Sequence, residues 1–340
     1  MGRSDSRPDS RHLTPIAFLP NPRLTARRRA EFYLLSITVV WGSTFVITKS
    51  LLEDNSPLFY TAIRFLLGSL ILLVLFPRRL TKISRSTLMR GSLLGLFLYG
   101  GFLVQTVGMQ YTTASKSAFF TGMLTVLTPV VQMAVQRFFH VGRKQLKIGN
   151  LLGVVAAGIG LYLLTSPAGS PFNKGDALTL VCALFFACYI VYLDLVSDEP
   201  DKLRLSFVQF LFCAVVGMAM ALLFENIRAA SSGTYVLSLL YLTIVATVIA
   251  MWVQNRYQGD TSPTRAAVIF AVEPVVAAVF AYFVRGEIIG LAGIGGGALI
   301  VGGLLVSEFS DELPVLNRAI AAPAGHSTQA DTPGAAGEKH

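Results

Sequence analysis

The chain has 340 residues, of which 53% are hydrophobic and only 14% are charged, whereas soluble domains carry about 25% charged residues. One soluble core cannot bury this much apolar surface, so the composition excludes a soluble globular protein and predicts an integral membrane protein whose partner is the lipid bilayer. The net charge of +9 would suit a nucleic-acid binder, but the basic residues lie mainly in loops and tails between apolar stretches. No nucleic-acid partner is therefore expected.

Ten apolar segments follow one another along the chain, each about 20 residues long, which is the length a helix needs to cross about 30 Å of hydrocarbon. Lipid leaves no backbone polar group without a partner, and a spanning strand would be about half as long, so all are predicted to be helices. They cover roughly residues 32–51, 58–76, 88–110, 117–138, 146–164, 175–194, 205–224, 234–254, 264–284 and 288–307. The polar residues 1–30 and 309–340 are predicted to form a disordered N-terminal arm and C-terminal tail.

Lys and Arg residues are distributed unequally between the two sets of alternate loops. Of the 28 basic residues, 22 lie in the arm, the tail, the loops after segments 2, 4, 6 and 8 or the segment ends beside those loops, whereas four lie in the other loops and two within segments. Because basic loops stay on the cytoplasmic side, we expect a multi-pass protein with both termini in the cytoplasm. Short loops without an organelle signal favour a bacterial plasma membrane, the inner membrane.

An internal repeat appears when the chain is shifted by about 145 residues against itself. The shift places Pro129 on Pro274, although Lys116 lies 13 residues before Pro129 and the matching Arg265 only nine before Pro274. Each copy holds five segments, an odd number, so the second copy enters the membrane from the opposite side. Two inverted five-helix repeats are typical of secondary transporters, with a substrate site between them. The predicted units are residues 31–165 and 174–308.

Glycines four residues apart mark the last segment of each copy, as Gly149 and Gly153 and as Gly293 and Gly297. Such small residues let helices approach closely. The two segments are therefore expected to pack against each other or against a second protomer, which leaves a homodimer open.

Six short motifs stand in order along residues 31–308: Val40–Lys49, Phe59–Phe65, Tyr111–Gly122, Gly175-Asp176, Val272-Glu273-Pro274 and Gly286-Glu287. Together they resemble the EamA-type family of drug/metabolite transporters. The resemblance implies ten helices, cytoplasmic termini and alternating access to a central cavity, and it implies no particular substrate.

Three ionisable residues within the segments are candidates for the site, because a charge in hydrocarbon is costly and usually faces a cavity or a partner. Arg64 is a candidate anion clamp, although it could instead reach the interface or pair with a carboxylate. Lys49 is a second candidate for the anion and could also reach the interface. Glu273 is the one carboxylate near the middle of a segment. It is a candidate for coupling to protons or cations, or else a structural partner of Arg or of helix dipoles.

Neutral residues complete the predicted substrate site, although inter-helix hydrogen bonding or anchoring at the interface is an alternative for each polar side chain. They are Trp41, Gly42, Thr44, Gln105, Tyr189, Gln209 and Trp252.

The function predicted from these features is a secondary transporter that exports a small metabolite, an amino acid or another anionic or zwitterionic solute, by alternating access. The sequence has no P-loop motif, so a proton, sodium or substrate gradient is the expected driving force. A passive channel and a non-transporting receptor or scaffold are the alternatives.

An enzyme is not expected, because no histidine lies deep in a segment and no HExxH or GxSxG motif occurs. Cys182, Cys188 and Cys213 are expected to be packing residues, and no metal or cofactor is predicted.

Overall fold

A computed structural model describes residues 22–140, 148–165, 172–229, 232–286 and 290–309. These residues form helices joined by short loops. We number the helices α1 (Pro22–Leu51), α2 (Pro57–Leu75), α3 (Arg85–Met109), α4 (Ala114–Gly122 and Leu124–Phe139), α5 (Ile148–Thr165), α6 (Lys174–Leu195), α7 (Lys202–Phe224), α8 (Gly233–Thr243, Ile244–Ile249 and Ala250–Tyr257), α9 (Pro263–Phe270 and Glu273–Arg285) and α10 (Leu291–Phe309). The four-residue helix Pro77–Leu80 and the turn Gln258–Asp260 lie in loops.

Eight helices in the described part of the chain are long and apolar enough to cross a membrane: α1–α4 and α6–α9. In α5 and α10 the apolar stretches Gly149–Leu164 and Leu291–Ser307 are shorter. The protein is therefore an all-helical, multi-pass membrane protein. The count of ten spans stays a prediction.

The first helix begins earlier than the sequence pattern suggested. α1 starts at Pro22 rather than near residue 31. One turn later in the chain, Arg27 pairs with Glu31 four residues on, with 3.4 Å between Nε and Oε1. This spacing places both side chains on one helix face, so the polar first turns continue the apolar span. The rest of the predicted arm, residues 1–21, and of the predicted tail, residues 310–340, lies outside the described residues.

Two helices are broken at matching places, and a third contains a π-helical turn. α4 is interrupted at Met123 and α9 at Ala271–Val272. In α8 the segment Ile244–Ile249 is π-helical, and the Thr247 hydroxyl donates to the carbonyl of Leu242, five residues back, over 2.8 Å. Irregular backbone inside a membrane is tolerated where it is covered by protein or lines a cavity. These three places therefore indicate where a polar site could form.

The helices α5 and α10 pack along each other through glycine. A Cβ atom added to Gly296 would lie 2.4 Å from the Leu164 amide nitrogen and 2.5 Å from the Gly160 carbonyl oxygen. The two backbones therefore touch where a side chain would separate them. The expected alternative of packing within one chain is the one observed.

The neighbouring glycines Gly295 and Gly296 provide a direct test of this packing. Gly296→Ala should lower the free energy of unfolding by about 1–3 kcal/mol, the usual cost of overpacking a tight contact. Gly295→Ala is the matched control, because its Cβ would meet nothing within 4 Å. Thermal unfolding of both variants in detergent measures the difference. Equal stability of the two variants would contradict the α5–α10 contact.

Candidate functional site

Helices from both halves of the chain enclose one cavity near the middle of the bundle. Its volume is small, about 60 Å³. Aromatic and aliphatic side chains form most of its wall, with a few polar groups among them. The lining residues are Trp41, Thr44 and Phe45 of α1, Arg64 of α2, Leu98, Phe102 and Gln105 of α3, Leu124 of α4, Phe186, Tyr189 and Ile190 of α6, Met251 and Gln254 of α8, and Phe270 and Glu273 of α9. An apolar pocket with a few convergent polar groups is typical of a small-molecule site.

Arg64 contributes a buried positive charge to this cavity. Its side chain is 3% exposed, its Nε donates to the Thr247 hydroxyl over 2.6 Å, and its guanidinium carbon lies 4.9 Å from the centre of the Phe102 ring. Among the described residues no carboxylate forms an ion pair with it. The hydroxyl and the ring thus orient the guanidinium at the cavity wall.

Glu273 contributes the acidic group of the same cavity. It is the first residue of the second part of α9, directly after the break, where a carboxylate also interacts favourably with the helix dipole. No Lys or Arg in the described ranges forms an ion pair with it. The cavity therefore carries one cation and one acid, each on a different half of the chain.

The wall formed by α1 is held by contacts to two of the irregular helices, α8 and α9. The Trp41 indole donates to the carbonyl of Ala246 in the π-helical turn over 3.0 Å, and its ring meets Phe270 edge-on with centroids 5.5 Å apart. Gly42 lies against α9, since an added Cβ would be 2.8 Å from the carbonyl oxygen of Glu273. Trp41 is therefore oriented by a backbone carbonyl of the π-helical turn beside the site.

The remaining polar wall is formed by side chains that already have protein partners. Gln105 donates to the Thr121 hydroxyl over 2.9 Å. The Tyr189 hydroxyl lies 3.1 Å from Gln209 Oε1 and 3.0 Å from Asn255 Oδ1. These bonds fix the orientation of the groups that a ligand would meet.

The structure brings together five of the nine predicted substrate residues and Glu273. These five are Trp41, Thr44, Arg64, Gln105 and Tyr189. The other four lie elsewhere. Gly42 faces α9, Gln209 lies behind Tyr189, and Trp252 is 40% exposed. The ammonium group of Lys49 donates to the carbonyl of Met109, the last residue of α3, and to that of Thr112 in the loop after it.

Gln254 is a polar residue of the cavity wall that no feature of the sequence singles out. Its amide nitrogen donates to Gln258 over 2.8 Å, and its oxygen is buried with no hydrogen-bond partner in the described chain. It lies two residues after Trp252, on nearly the opposite side of the helix. The sequence does not indicate which of these two faces of α8 points toward the cavity.

Metal chemistry has no visible site in the described ranges, because no three His, Cys, Asp or Glu residues there come together as ligands. Cys182 and Cys213 are buried and Cys188 is partly buried, all as free thiols.

Comparison with known proteins gives the family. The profile of the EamA-like transporter family matches residues 28–166 and 173–309. An uncharacterized transporter of Archaeoglobus fulgidus is 31% identical over 263 residues, which cover 77% of this chain and 80% of that protein. A Salmonella typhimurium protein named as a probable amino-acid metabolite efflux pump is 27% identical over 300 residues, covering 83% and 95%.

Two further comparisons concern the membrane and the fold. An uncharacterized inner membrane transporter of Escherichia coli is 24% identical over 262 residues, covering 75% of this chain and 82% of that protein. A solved crystal structure superposes with a TM-score of 0.69 and 17% identity over 87% of this chain and all of that one, which bears on the fold alone. The names of these relatives point to membrane transporters rather than enzymes. The family profile covers both halves of the chain, and the protein therefore belongs to the EamA-like transporter family.

Proposed function

We propose that the protein is a secondary carrier that exports an amino acid or a similar zwitterionic or anionic metabolite by alternating access. The observation that carries the proposal is the cavity in which Arg64 and Glu273 face one apolar space from different halves of the chain. Arg64 suits a carboxylate, because a guanidinium forms paired, charge-assisted hydrogen bonds with it. The aromatic wall suits the apolar part of a small solute.

A carboxyl group opposite the guanidinium suits two roles in such a carrier. Glu273 can accept the ammonium group of a zwitterion, or it can exchange a proton or bind sodium during the cycle. The other titratable groups that line the cavity are Arg64 and Tyr189. A relative named as a probable amino-acid metabolite efflux pump supports the zwitterion as the first substrate class to test.

The proposed architecture has ten spans, two inverted repeats and both termini in the cytoplasm of a bacterial inner membrane. Two matches to the same family profile and the matching breaks in α4 and α9 support the repeat. The close packing of α5 on α10 supports their inclusion as the last span of each copy. The excess of Lys and Arg in alternate loops supports the orientation.

Counterflow in proteoliposomes tests the proposal. Vesicles preloaded with a mixed metabolite pool are placed in a labelled outside pool, and mass spectrometry identifies which species exchange. Saturable exchange of amino acids or other carboxylates is the expected result. Exchange that does not saturate would favour a passive channel. No exchange by folded protein, at several pH values and with sodium, would contradict the carrier.

Thr247 should act on the substrate through Arg64. Thr247→Val removes the acceptor of the Arg64 Nε–H while keeping the side-chain shape, so we expect KM to rise about tenfold, the effect of losing one hydrogen bond, with little change in maximal rate. Thr247→Ser should restore the wild-type KM. Thr243→Val is the matched control, since the Thr243 hydroxyl is buried with no hydrogen-bond partner in the described residues. Equal KM values for both valine variants would contradict this role.

A further inference from the structure

An ion pair joins the two halves of the chain at the end of the bundle predicted to face outward. The Lys116 ammonium lies 2.7 Å from Oδ2 of Asp176, which is fully buried. The Thr112 hydroxyl donates to the other carboxylate oxygen over 2.6 Å. Lys116 lies in the first turns of α4 and Asp176 in the first turn of α6. We call this the outer ion pair.

A second ion pair joins the halves at the opposite end. Arg265 Nε lies 2.7 Å from Oε1 of Glu31, and the side chains are 4% and 7% exposed. The Thr261 hydroxyl lies 3.5 Å from the same carboxylate oxygen. Arg265 lies in the first turn of α9, and Glu31 lies in α1. We call this the inner ion pair.

The two ion pairs occupy equivalent positions when the halves are exchanged. Glu31 and Asp176 are 145 residues apart, the offset of the internal repeat. The cations and their threonines share another offset, because 149 residues separate Lys116 from Arg265 and also Thr112 from Thr261. Each pair therefore joins the first helix of one half to the fourth helix of the other.

The start of each fourth helix is built in the same way as well. Thr113 accepts a hydrogen bond from the backbone N–H of Lys116, and Ser262 accepts one from the backbone N–H of Arg265. Both cations thus stand at the same place in a capped first turn. Matching ion pairs, threonines and caps indicate one device present in two copies.

The cavity lies between the two pairs. α1 connects them, because it carries Glu31 at one end and Lys49, which donates to the carbonyl of Thr112, near the other. Eighteen residues of helix separate Glu31 from Lys49, which is about 27 Å at about 1.5 Å per residue. The cavity residues Trp41 and Thr44 lie between these ends.

Both cations also lie on helices that break beside the cavity. The first part of α4 carries Lys116 and ends before Met123, and the first part of α9 carries Arg265 and ends before Ala271. The cavity residues Leu124 and Glu273 begin the second parts. A break at the cavity lets each short first part move while the rest of its helix stays packed.

We propose that the outer and inner ion pairs are the two gates of the carrier, and that they open in alternation. This inference rests on the proposed function. In a closed gate the two charges are buried against each other, and in an open gate each charge contacts water instead. The closed and open states are therefore close in free energy. Removing one charge while leaving its partner disfavours the closed gate at that end alone. The two gates together therefore decide to which side of the membrane the cavity opens.

The test measures access to the cavity and needs no known substrate. Thr44→Cys provides one thiol in a background without Cys182, Cys188 and Cys213. A membrane-impermeant charged maleimide is added to either face of sealed vesicles, and a reporter fused after residue 340 identifies the faces. Glu31→Gln should raise labelling from the face at its own end by about fivefold or more and lower it from the other. Asp176→Asn should do the reverse.

The control variant is Asp198→Asn. Asp198 pairs with Arg90 over 3.1 Å, but its side chain is 68% exposed, so its loss should leave labelling unchanged. Equal labelling of wild type, Glu31→Gln and Asp176→Asn from each face would overturn the gates, as would a shift toward the same face by both variants. Exchange in counterflow with unchanged labelling would refute the gates and keep the carrier.

Two further variants of the outer ion pair test the gates if a single substitution prevents folding. Lys116→Asp combined with Asp176→Lys keeps both charges but loses the hydrogen bond from Thr112, so labelling should return part of the way to the wild-type pattern. A cross-link between cysteines at positions 116 and 176 should confine labelling to the face at the Glu31 end, and reductant should reverse this. Labelling from both faces of the cross-linked protein would contradict the outer gate.

Discussion

Arg64→Ala should raise KM for the exchanged carboxylate by about 10- to 100-fold. The guanidinium is buried in the cavity wall and has no carboxylate partner among the described residues. A hydrogen bond to a charged group contributes about 1.5–3 kcal/mol, and that range corresponds to the expected change in affinity. Concentration-dependent counterflow with the metabolite class found in the exchange assay measures it.

Two further variants separate the charge of Arg64 from its shape. Arg64→Lys keeps the charge but loses the planar fork and the stacking on Phe102, so its KM should lie between those of wild type and Arg64→Ala. Arg137→Ala is the control, because Arg137 is exposed near the end of α4. If Arg64→Ala exchanges carboxylates with wild-type KM, the anion-clamp hypothesis is wrong.

Glu273→Gln should abolish transport driven by a proton gradient while leaving exchange without a gradient measurable. The amide keeps the size and polarity of the carboxyl group but cannot release or take up a proton. During exchange the carrier holds substrate in both directions of its cycle, so no net proton movement is needed. Uptake into vesicles with and without an imposed pH difference, compared with counterflow in the same preparation, measures both activities.

The Glu273 prediction has a matched control and a clear contrary result. Asp54→Asn removes an exposed carboxylate in the loop after α1 and should leave the pH dependence unchanged. A Glu273→Gln protein that keeps the wild-type rate and the wild-type pH dependence would exclude proton coupling at this residue. If wild-type transport depends on sodium rather than on a pH difference, and Glu273→Gln loses that dependence, Glu273 is assigned to sodium instead.

The polar residues of the spans can be found from the sequence, whereas their partners cannot. Arg64 and Glu273 were selected because charge in hydrocarbon is costly, and the structure brings both to one cavity. Lys49 was selected by the same argument, yet it binds carbonyl groups at the end of α3 and in the loop after it. The cost of burial says that a charge has a partner or a cavity, and only the fold says which.

The sequence also does not indicate which face of each helix points into the bundle. In lipid a helix is apolar on most of its circumference, so the hydrophobic pattern does not indicate which side faces the bundle. Trp252 was selected on α8, and Gln254, nearly opposite, lines the cavity. The π-helical turn that holds Trp41 and Arg64 has no signature in the apolar run Ile244–Ile249.

The sequence by itself determined the membrane location, the helical class, the internal repeat and the family resemblance, because composition and the length of apolar runs follow from the thickness and dryness of a bilayer. The tertiary structure alone decided which side chains share the cavity and that Glu31 pairs with Arg265 and Lys116 with Asp176. These contacts join residues far apart in the chain. They depend on how helices rotate and cross, which no local pattern of residues records.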